Sequence, residues 1–145
     1  MRRWNGWGDE TTQVELPANG SAFLEARVGT GQALPDASLA QVLAQVPASR
    51  LLACHPLISL DAEVRVRHAR GQSLPDWLAM RSGDFGVFPD GVALPETAAQ
   101  IRELLAWARQ QDVIVIPYGG GTSVAGHINP VESEKPVLTL SLERM

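Results

Sequence analysis

A run of four β-branched side chains, VIVI at positions 113–116, constrains the fold of this 145-residue chain more than any other feature. Four such residues in succession predict a strand that is covered on both faces. The segment before this run places four apolar side chains at helical spacing, namely Ile101, Leu104, Leu105 and Ala108. A short apolar run at 91–94 precedes that helix and predicts another strand.

A strand, a helix and a second strand make a βαβ unit, in which the two strands are parallel and the crossover is right-handed. The run VLTL at 137–140 predicts a third strand after a polar loop. The sequence therefore predicts an α+β fold, α/β-like in its second half, with a small, mostly parallel sheet and flanking helices.

The first half of the chain gives weaker signals. Residues 36–46 have the apolar spacing of a short helix that Asp36 or Ser38 can cap, and Ser73 with Asp76 predicts the start of a second helix ending near Arg81. The first thirty or so residues are rich in turn-forming residues and predict irregular structure. We expect Trp4 and Trp7, in this polar arm, to pack either on the domain or on a partner.

Residues 61–70 are ambiguous, because a few positions alternate like a strand although the segment could equally be a helix ending at Gly71. Its three arginines, Arg65, Arg67 and Arg70, fit a solvated face better than an anion-binding patch.

The loop after the VIVI run, PYGGGTS at 117–123, has the composition of an anion site. Three glycines allow positive φ, let a ligand approach the main chain and let N–H groups converge on an anion, while Thr122 and Ser123 add hydroxyl donors. A Walker A loop is excluded because it needs a lysine, and the dinucleotide fingerprint fails because Val124 stands where its third glycine belongs. The residues favour diphosphate binding at the carboxyl end of a parallel strand, with a glycine-rich turn that binds nothing as the alternative.

Several motifs together resemble the FAD-linked oxidase family, which has the vanillyl-alcohol-oxidase type of FAD-binding domain. The motifs are PDGVALPET at 89–97, VIVIPYGGGTS at 113–123 and TLSLERM at 139–145. Upstream, WNGWGD at 4–9 and RGQSLPD at 70–76 look like the alkyldihydroxyacetonephosphate synthase-like branch. The resemblance implies an N-terminal arm and helical segment at 1–80, followed by the first part of the FAD-binding domain at 81–145.

The resemblance also implies which residues hold the cofactor. Main-chain amides of the loop would bind the FAD diphosphate, and the residues concerned are Pro117, Tyr118, Gly119, Gly120, Gly121, Thr122, Ser123 and Gly126. Some family members attach the flavin covalently through a histidine in this loop, but the matching position here is Gly121. We therefore expect FAD to be non-covalent at this loop.

The function that the resemblance implies is that of an FAD-dependent oxidoreductase acting on a hydroxy acid or related small substrate. Two alternatives remain open: flavin-dependent exchange of an acyl for an alkyl chain in ether-lipid synthesis, and a non-catalytic nucleotide-binding half-domain. Family members continue with further FAD-binding strands and a substrate domain. We therefore expect this chain to be an N-terminal fragment that is inactive alone and carries no identifiable catalytic residue.

Bulk properties narrow the partners and the location. A net charge of −4 argues against nucleic acid as a partner, and no apolar run approaches the length of a membrane span. No apolar segment of a signal peptide follows the N-terminal arginines, so we expect a cytoplasmic protein. Homo-oligomer formation stays open.

A few further side chains could carry chemistry, although a structural role fits each better. Cys54 follows an apolar triplet and is expected to be a buried, inert thiol. Asp84 and Asp90 could pair as carboxylates but fit turn positions better. His127 lies just past the loop, where a structural role is expected, and His55 and His68 have no partner at metal-ligand spacing.

Overall fold

The computed structural model describes residues 2–12, 14–32 and 34–145. The helices in this part of the chain are α1 (Gly20–Val28), α2 (Leu39–Leu43), α3 (Ala62–Arg67), α4 (Leu74–Ser82) and α5 (Ala98–Gln110). The strands are β1 (Ile58–Ser59), β2 (Gly91–Ala93), β3 (Ile114–Tyr118) and β4 (Val137–Ser141). Across these described ranges, no helix is both long and apolar enough to cross a membrane.

The four strands form one sheet in the order β1-β2-β4-β3. Both β2 and β3 pair in parallel with β4, whereas the two-residue β1 is antiparallel to β2. This mostly parallel sheet with helices confirms the expected fold class. The strands β2 and β3 run in the same direction, as a βαβ unit requires, but they are not neighbours because β4 lies between them.

The prediction that the VIVI strand is covered on both faces is wrong. Strand β3 lies at the edge of the sheet, and Ile114 keeps 37% of its surface exposed. The completely buried strands are β2 and β4, each of which has a hydrogen-bonded neighbour on each side. Pro117 fits an edge strand because proline has no N–H to donate to a second neighbour.

Helix α5 packs against the sheet through one face. Thr97 caps its first turn, accepting a hydrogen bond from the Gln100 N–H at 3.2 Å. Leu104 and Ala108 are buried as expected, but Leu105 is exposed, so the apolar face is narrower than its spacing suggested. Leu104 joins a core cluster formed with side chains of β2 and β4.

The helices of the first half begin at the expected capping residues. The hydroxyls of Ser38 and Ser73 each accept a hydrogen bond from the N–H three residues on, and each helix start is a complete capping box. The ambiguous segment at 61–70 contains a helix, α3, whose first turn is capped by Asp61. Helices α2, α3 and α4 enclose a second core cluster around Val42 and Phe85.

The first thirty residues are only partly irregular, because α1 spans Gly20–Val28 without burying a single side chain. The two tryptophans of the arm behave differently. Trp4 stacks on the buried Phe85 with ring centroids 6.2 Å apart, whereas Trp7 remains 61% exposed.

The expectation of a solvated arginine face on α3 is wrong. Arg65 is buried, and its guanidinium donates to the carbonyl oxygens of Pro47 at 2.7 Å and Pro89 at 2.6 Å. Desolvation of this buried guanidinium lowers the pKa of Arg65. Arg67 is largely covered as well and pairs with Glu63 at 2.7 Å. These arginines link segments of the fold, because they satisfy carbonyl and carboxylate groups that would otherwise be unpaired.

Two other expectations concern single side chains. Cys54 is exposed, which contradicts the buried thiol that its apolar neighbours suggested. Asp90 is buried at the start of β2, where its carboxylate accepts hydrogen bonds from Arg50 at 2.7 and 2.9 Å and from the Val137 N–H at 2.7 Å. Burial works to raise the pKa of Asp90, but these hydrogen bonds outweigh it and the pKa lies below its ordinary value. Asp90 therefore ties β2 to β4.

Candidate functional site

The glycine-rich loop leaves the sheet where the parallel strands end. Tyr118 is the last residue of β3 and lies opposite Ser141, the last residue of β4. The Tyr118 carbonyl oxygen accepts a hydrogen bond from the Leu142 N–H at 2.8 Å, which holds the two strand ends together. The loop at 119–126 therefore begins at the carboxyl edge of the sheet, where α/β proteins usually bind their ligands.

The three glycines of the loop are needed for different reasons. Gly121 has φ +70°, and a Cβ there would contact the Tyr118 hydroxyl and lie 2.9 Å from Nη1 of Arg2, so the fold itself requires glycine. A Cβ at Gly119 would meet no atom within 4 Å, and one at Gly120 would be in ordinary contact with Thr122. Nothing inside the described chain requires glycine at these two positions, which leave bare main chain facing open space.

A cavity of about 250 Å³ lies against this bare main chain. The residues that line it are Pro117, Gly119, Gly120, Gly121, Thr122, Ser123, His127 and Ile128. None of these described residues carries a carboxylate, so nothing in the lining repels a diphosphate. The composition and shape of the cavity fit a ligand that accepts hydrogen bonds from main-chain N–H groups.

The two hydroxyls of the loop differ in their freedom to bind a ligand. The Ser123 hydroxyl accepts a hydrogen bond from the Ala125 N–H at 3.4 Å and lies 3.1 Å from Nδ1 of His127. The exposed Thr122 hydroxyl has no hydrogen-bond partner within the part of the chain that the structure describes. Thr122 is thus the freer donor, and His127 contacts Ser123 while also lining the cavity.

The Tyr118 side chain points into the protein. Its hydroxyl donates a hydrogen bond to the Arg67 carbonyl oxygen at 3.1 Å, and its ring centroid lies 4.7 Å from that of His68. The guanidinium of Arg2 lies over the same ring at 5.4 Å from its centroid. Burial raises the pKa of the Tyr118 phenol. Only the main chain of Tyr118 is therefore placed to contact a ligand in the loop.

A network that the sequence reasoning missed fixes the shape of the loop. The Ser123 carbonyl oxygen accepts a hydrogen bond from the Gln72 N–H at 2.6 Å, and a Cβ at Gly71 would collide with that carbonyl. Asn129 accepts from the Gly71 N–H at 3.0 Å and donates to the capping carboxylate of Asp76 at 2.6 Å. The predicted capping box was the only sequence signal for this network, because Asn129 is 53 residues away from Asp76.

The remaining candidate position, Gly126, forms the turn at the far end of the loop. It has φ +76°, and its carbonyl oxygen accepts a hydrogen bond from the Asn129 N–H at 3.0 Å. Gly126 therefore shapes the loop and does not line the cavity.

Buried His68 lies at the carboxyl end of β4. Its Nε2 is 3.2 Å from the Ser141 hydroxyl, and its Nδ1 is 2.8 Å from the Val64 carbonyl oxygen. Desolvation lowers the pKa of His68, which keeps the imidazole neutral at pH 7. No group of three or more histidine, cysteine, aspartate or glutamate side chains suited to a metal ion occurs among the residues described.

Comparison with known families shows which domain the sheet and the loop resemble. Residues 89–145 match the family model described as FAD binding domain, and this match covers β2 through β4 together with the whole loop. Residues 89–145 are thus similar to an FAD-binding domain, and FAD is the cofactor that the match indicates.

Three relatives of this chain share one description. Alkyldihydroxyacetonephosphate synthase of Dictyostelium discoideum is 33% identical over 59% of this chain and 14% of its own length. The enzymes of that name from Trypanosoma brucei brucei and Caenorhabditis elegans are 27% and 24% identical, over 99% and 92% of this chain and 28% and 27% of their own lengths. The chain thus spans less than a third of each of these relatives.

Solved structures support the fold over nearly the whole chain. Alkyldihydroxyacetonephosphate synthase in two crystal forms superposes with TM-scores of 0.77 and 0.78 at 21% identity. Each superposition covers 99% of this chain and 33% of the solved one. At this level of identity the likeness shows the fold, which includes the first half of the chain as well as the segment matched by the family model.

Proposed function

We propose that the loop at 117–126 holds the diphosphate of FAD, and that the full-length protein is a flavin-dependent enzyme. The observation that carries the proposal is the bare main chain at Gly119 and Gly120, which faces a cavity at the carboxyl edge of the sheet although the fold requires glycine at neither position. A diphosphate bound there would accept hydrogen bonds from the loop N–H groups and from the Thr122 hydroxyl.

The chain's own residues bind and orient the cofactor in this proposal. Gly121 gives the loop its left-handed turn, and the hydrogen bond from Gln72 to the Ser123 carbonyl oxygen fixes the far side of that turn. When bound, FAD supplies the reactive chemistry, either by accepting electrons or by forming a covalent bond to a carbon atom, since such reactions belong to the cofactor. The absence of a histidine between positions 117 and 126 supports a non-covalent flavin at this loop.

Two reactions are candidates for the full-length protein. The family resemblance supports oxidation of a hydroxy acid or a related small substrate. The common description of the relatives, alkyldihydroxyacetonephosphate synthase, supports formation of an alkyldihydroxyacetonephosphate instead. Of the two we favour the second, because one of these relatives matches 99% of the chain and includes the first half, which lies outside the FAD binding domain match.

The test is purification of the full-length protein followed by visible spectroscopy. We expect a yellow protein whose flavin is released into the supernatant by acid precipitation. Flavin that stays with the precipitate would contradict non-covalent binding. A colourless protein that binds ADP but cannot be reconstituted with FAD would refute the proposal in favour of a nucleotide-binding half-domain. Assays with hydroxy acids, and with an acyl-dihydroxyacetonephosphate plus a fatty alcohol, then decide between the two reactions.

A further inference from the structure

The N-terminal arm, residues 2–9, is folded back against the glycine-rich loop. A bridge pairs Arg2 with Asp9, and the Arg3 N–H donates to the Gly8 carbonyl oxygen at 2.8 Å, so the arm is a tight turn. Arg67 donates to the Arg2 carbonyl oxygen at 2.5 Å and joins the arm to α3. The arm therefore has a defined position beside the loop.

Two further hydrogen bonds hold the arm next to the loop. Nη1 of Arg2 donates to the Gly120 carbonyl oxygen at 3.1 Å, and the Gln72 side chain donates to the Gly6 carbonyl oxygen at 3.4 Å. Gln72 also donates its main-chain N–H to Ser123, so one residue holds both the arm and the loop.

A second cavity, of about 230 Å³, lies between the arm and the loop. It is lined by Arg2, Gly6, Trp7, Gly8, Gln72, Gly120 and Thr122. Gly120 and Thr122 line the loop cavity as well, so the two cavities adjoin across these residues. A ligand whose diphosphate lies on the loop can therefore extend into the space beside the arm.

Trp7 offers this space a large aromatic surface. The side chain is 61% exposed, and its indole makes no hydrogen bond or ring contact with any other described residue. Exposed indole rings are uncommon because burial of so large an apolar surface is favourable, and stacking on a planar ring would cover it. The arm holds the main chain on both sides of Trp7, through Gly6 and Gly8, so the ring is presented on a fixed support.

Arg2 adds a positive charge at the same place. The loop at 117–126 contains no lysine or arginine, whereas a diphosphate diester carries two negative charges. Two hydrogen bonds, to the carbonyl oxygens of Gly120 and Arg67, use two of the five N–H donors of the Arg2 guanidinium. Guanidinium groups are well suited to contact a phosphate oxygen.

We propose that the arm is the second wall of the dinucleotide site, with the Trp7 indole stacked on a planar ring of FAD and the Arg2 guanidinium offsetting the charge of the diphosphate. The inference rests on the proposed function, because it presumes that the diphosphate lies on the loop. The ring is either the isoalloxazine or the adenine, since both present the same flat aromatic face.

The principal test is Trp7→Leu in the full-length protein, with Phe23→Leu as the matched control. Phe23 is another exposed aromatic residue, on α1, and it lines neither cavity. Stacking of a base on an aromatic side chain contributes enough that its loss should weaken FAD binding about tenfold. We expect that loss with Trp7→Leu alone, measured by titration of the apoprotein. The thermal midpoint of the apoprotein should be unchanged, because the Trp7 side chain is 61% exposed and makes no hydrogen bond or ring contact with any other described residue.

Titrations with FMN and ADP distinguish the two rings. A loss confined to FMN, together with recovery of flavin fluorescence, assigns the isoalloxazine to Trp7, and a loss confined to ADP assigns the adenine. Wild-type affinity of Trp7→Leu for all three ligands would overturn the inference and leave the proposed function intact. Failure of the wild-type protein to bind FAD at all would refute both.

The charge is tested by Arg2→Gln, with Arg3→Gln as its control because the Arg3 side chain donates to Thr12 within the N-terminal segment. We expect Arg2→Gln to weaken binding of FAD and of inorganic pyrophosphate and to make both less sensitive to sodium chloride, since one cation fewer is screened. Arg2→Lys should retain the salt dependence. Affinity that falls without any change in salt dependence would overturn the role of Arg2, because a purely structural contact gives that result.

Discussion

Alanine substitutions at Gly119 and Gly121 should separate the two reasons for glycine in the loop. Gly119 does not have positive φ, and its added methyl group would meet no atom within 4 Å. Gly119→Ala should therefore leave the apoprotein as stable as the wild type, or more stable by about 0.5 kcal/mol because the unfolded chain loses freedom. The methyl group would, however, project from main chain that a bound diphosphate must approach, so we expect FAD affinity to fall at least tenfold.

Gly121→Ala should have the opposite signature. Its φ of +70° is disfavoured for alanine, which costs about 1 kcal/mol. The methyl group would also be driven into the buried Tyr118 and to 2.9 Å from the Arg2 guanidinium, and relief of such overpacking costs a further 1–3 kcal/mol or so. We expect a destabilisation of about 2–4 kcal/mol, visible as a lower unfolding midpoint of the apoprotein without any ligand.

Both variants can be measured with the same two assays, thermal unfolding of the apoprotein and equilibrium titration with FAD. Wild-type affinity of Gly119→Ala would refute the argument that the diphosphate approaches the main chain at that position. An unchanged midpoint of Gly121→Ala would show that the loop does not have the close packing against Tyr118 described above. Gly120→Ala is a useful third variant, since its methyl group would only be in ordinary contact with Thr122.

Three further predictions concern the support of the site. Asp90→Asn should destabilise the protein by about 2 kcal/mol by weakening the pairing with Arg50. Because the folded pKa of Asp90 is lowered, the stabilisation by its carboxylate is present above about pH 3.9 and is lost on acidification. The variant should therefore show a flatter acid-unfolding profile than the wild type. Asp76→Ala should lower stability by about 1–2 kcal/mol and also weaken FAD binding, because the helix cap and the hydrogen bond from Asn129 to Asp76 are lost together. A loss of stability without a loss of FAD affinity would show that the hydrogen bonds of Asp76 do not hold the loop in its binding shape. His68→Gln should reduce the fall in thermal midpoint between pH 7 and pH 5. Burial lowers the folded pKa of His68 below its unfolded value of about 6.5, so protonation of the imidazole favours unfolding of the wild type. An unaltered pH profile of the variant would contradict this account.

Local signals in the sequence predicted local structure well. The pair Ser73 and Asp76 defines a capping box within four residues, and α4 begins where that box requires. Thr97 likewise marks the start of α5, and the run at 137–140 predicts β4 to within one residue. These features depend on neighbours a few positions apart, which a single sequence displays directly.

The environments of long side chains could not be predicted in the same way. The alternating arginines of α3 suggested solvent, yet Arg65 is buried because the carbonyl oxygens of Pro47 and Pro89 converge on it. The edge position of β3 follows from the insertion of β4 beside it, which four β-branched residues cannot indicate. Cys54 was placed inside by its apolar neighbours, although Leu52 among them is itself exposed.

The same contrast between local sequence signals and distant contacts applies to the candidate site. The glycine run and its hydroxyls identified the loop from composition alone, and the strand before it gave the loop its place at the carboxyl edge. The contacts of Gln72 and Asn129 with the loop region join segments about fifty residues apart. No spacing rule links such positions, so the support of the loop became visible only in three dimensions.

The position of β4 at the centre of the sheet has a consequence for the order in which the protein can fold. It is the last of the described strands along the chain, yet both β2 and β3 pair with it and not with each other. During synthesis, β2 and β3 therefore emerge from the ribosome without their parallel partner and wait until residues 137–141 follow them. Sheet formation is thus a late, non-local event, which slows folding and leaves two unpaired strand edges exposed until it is complete.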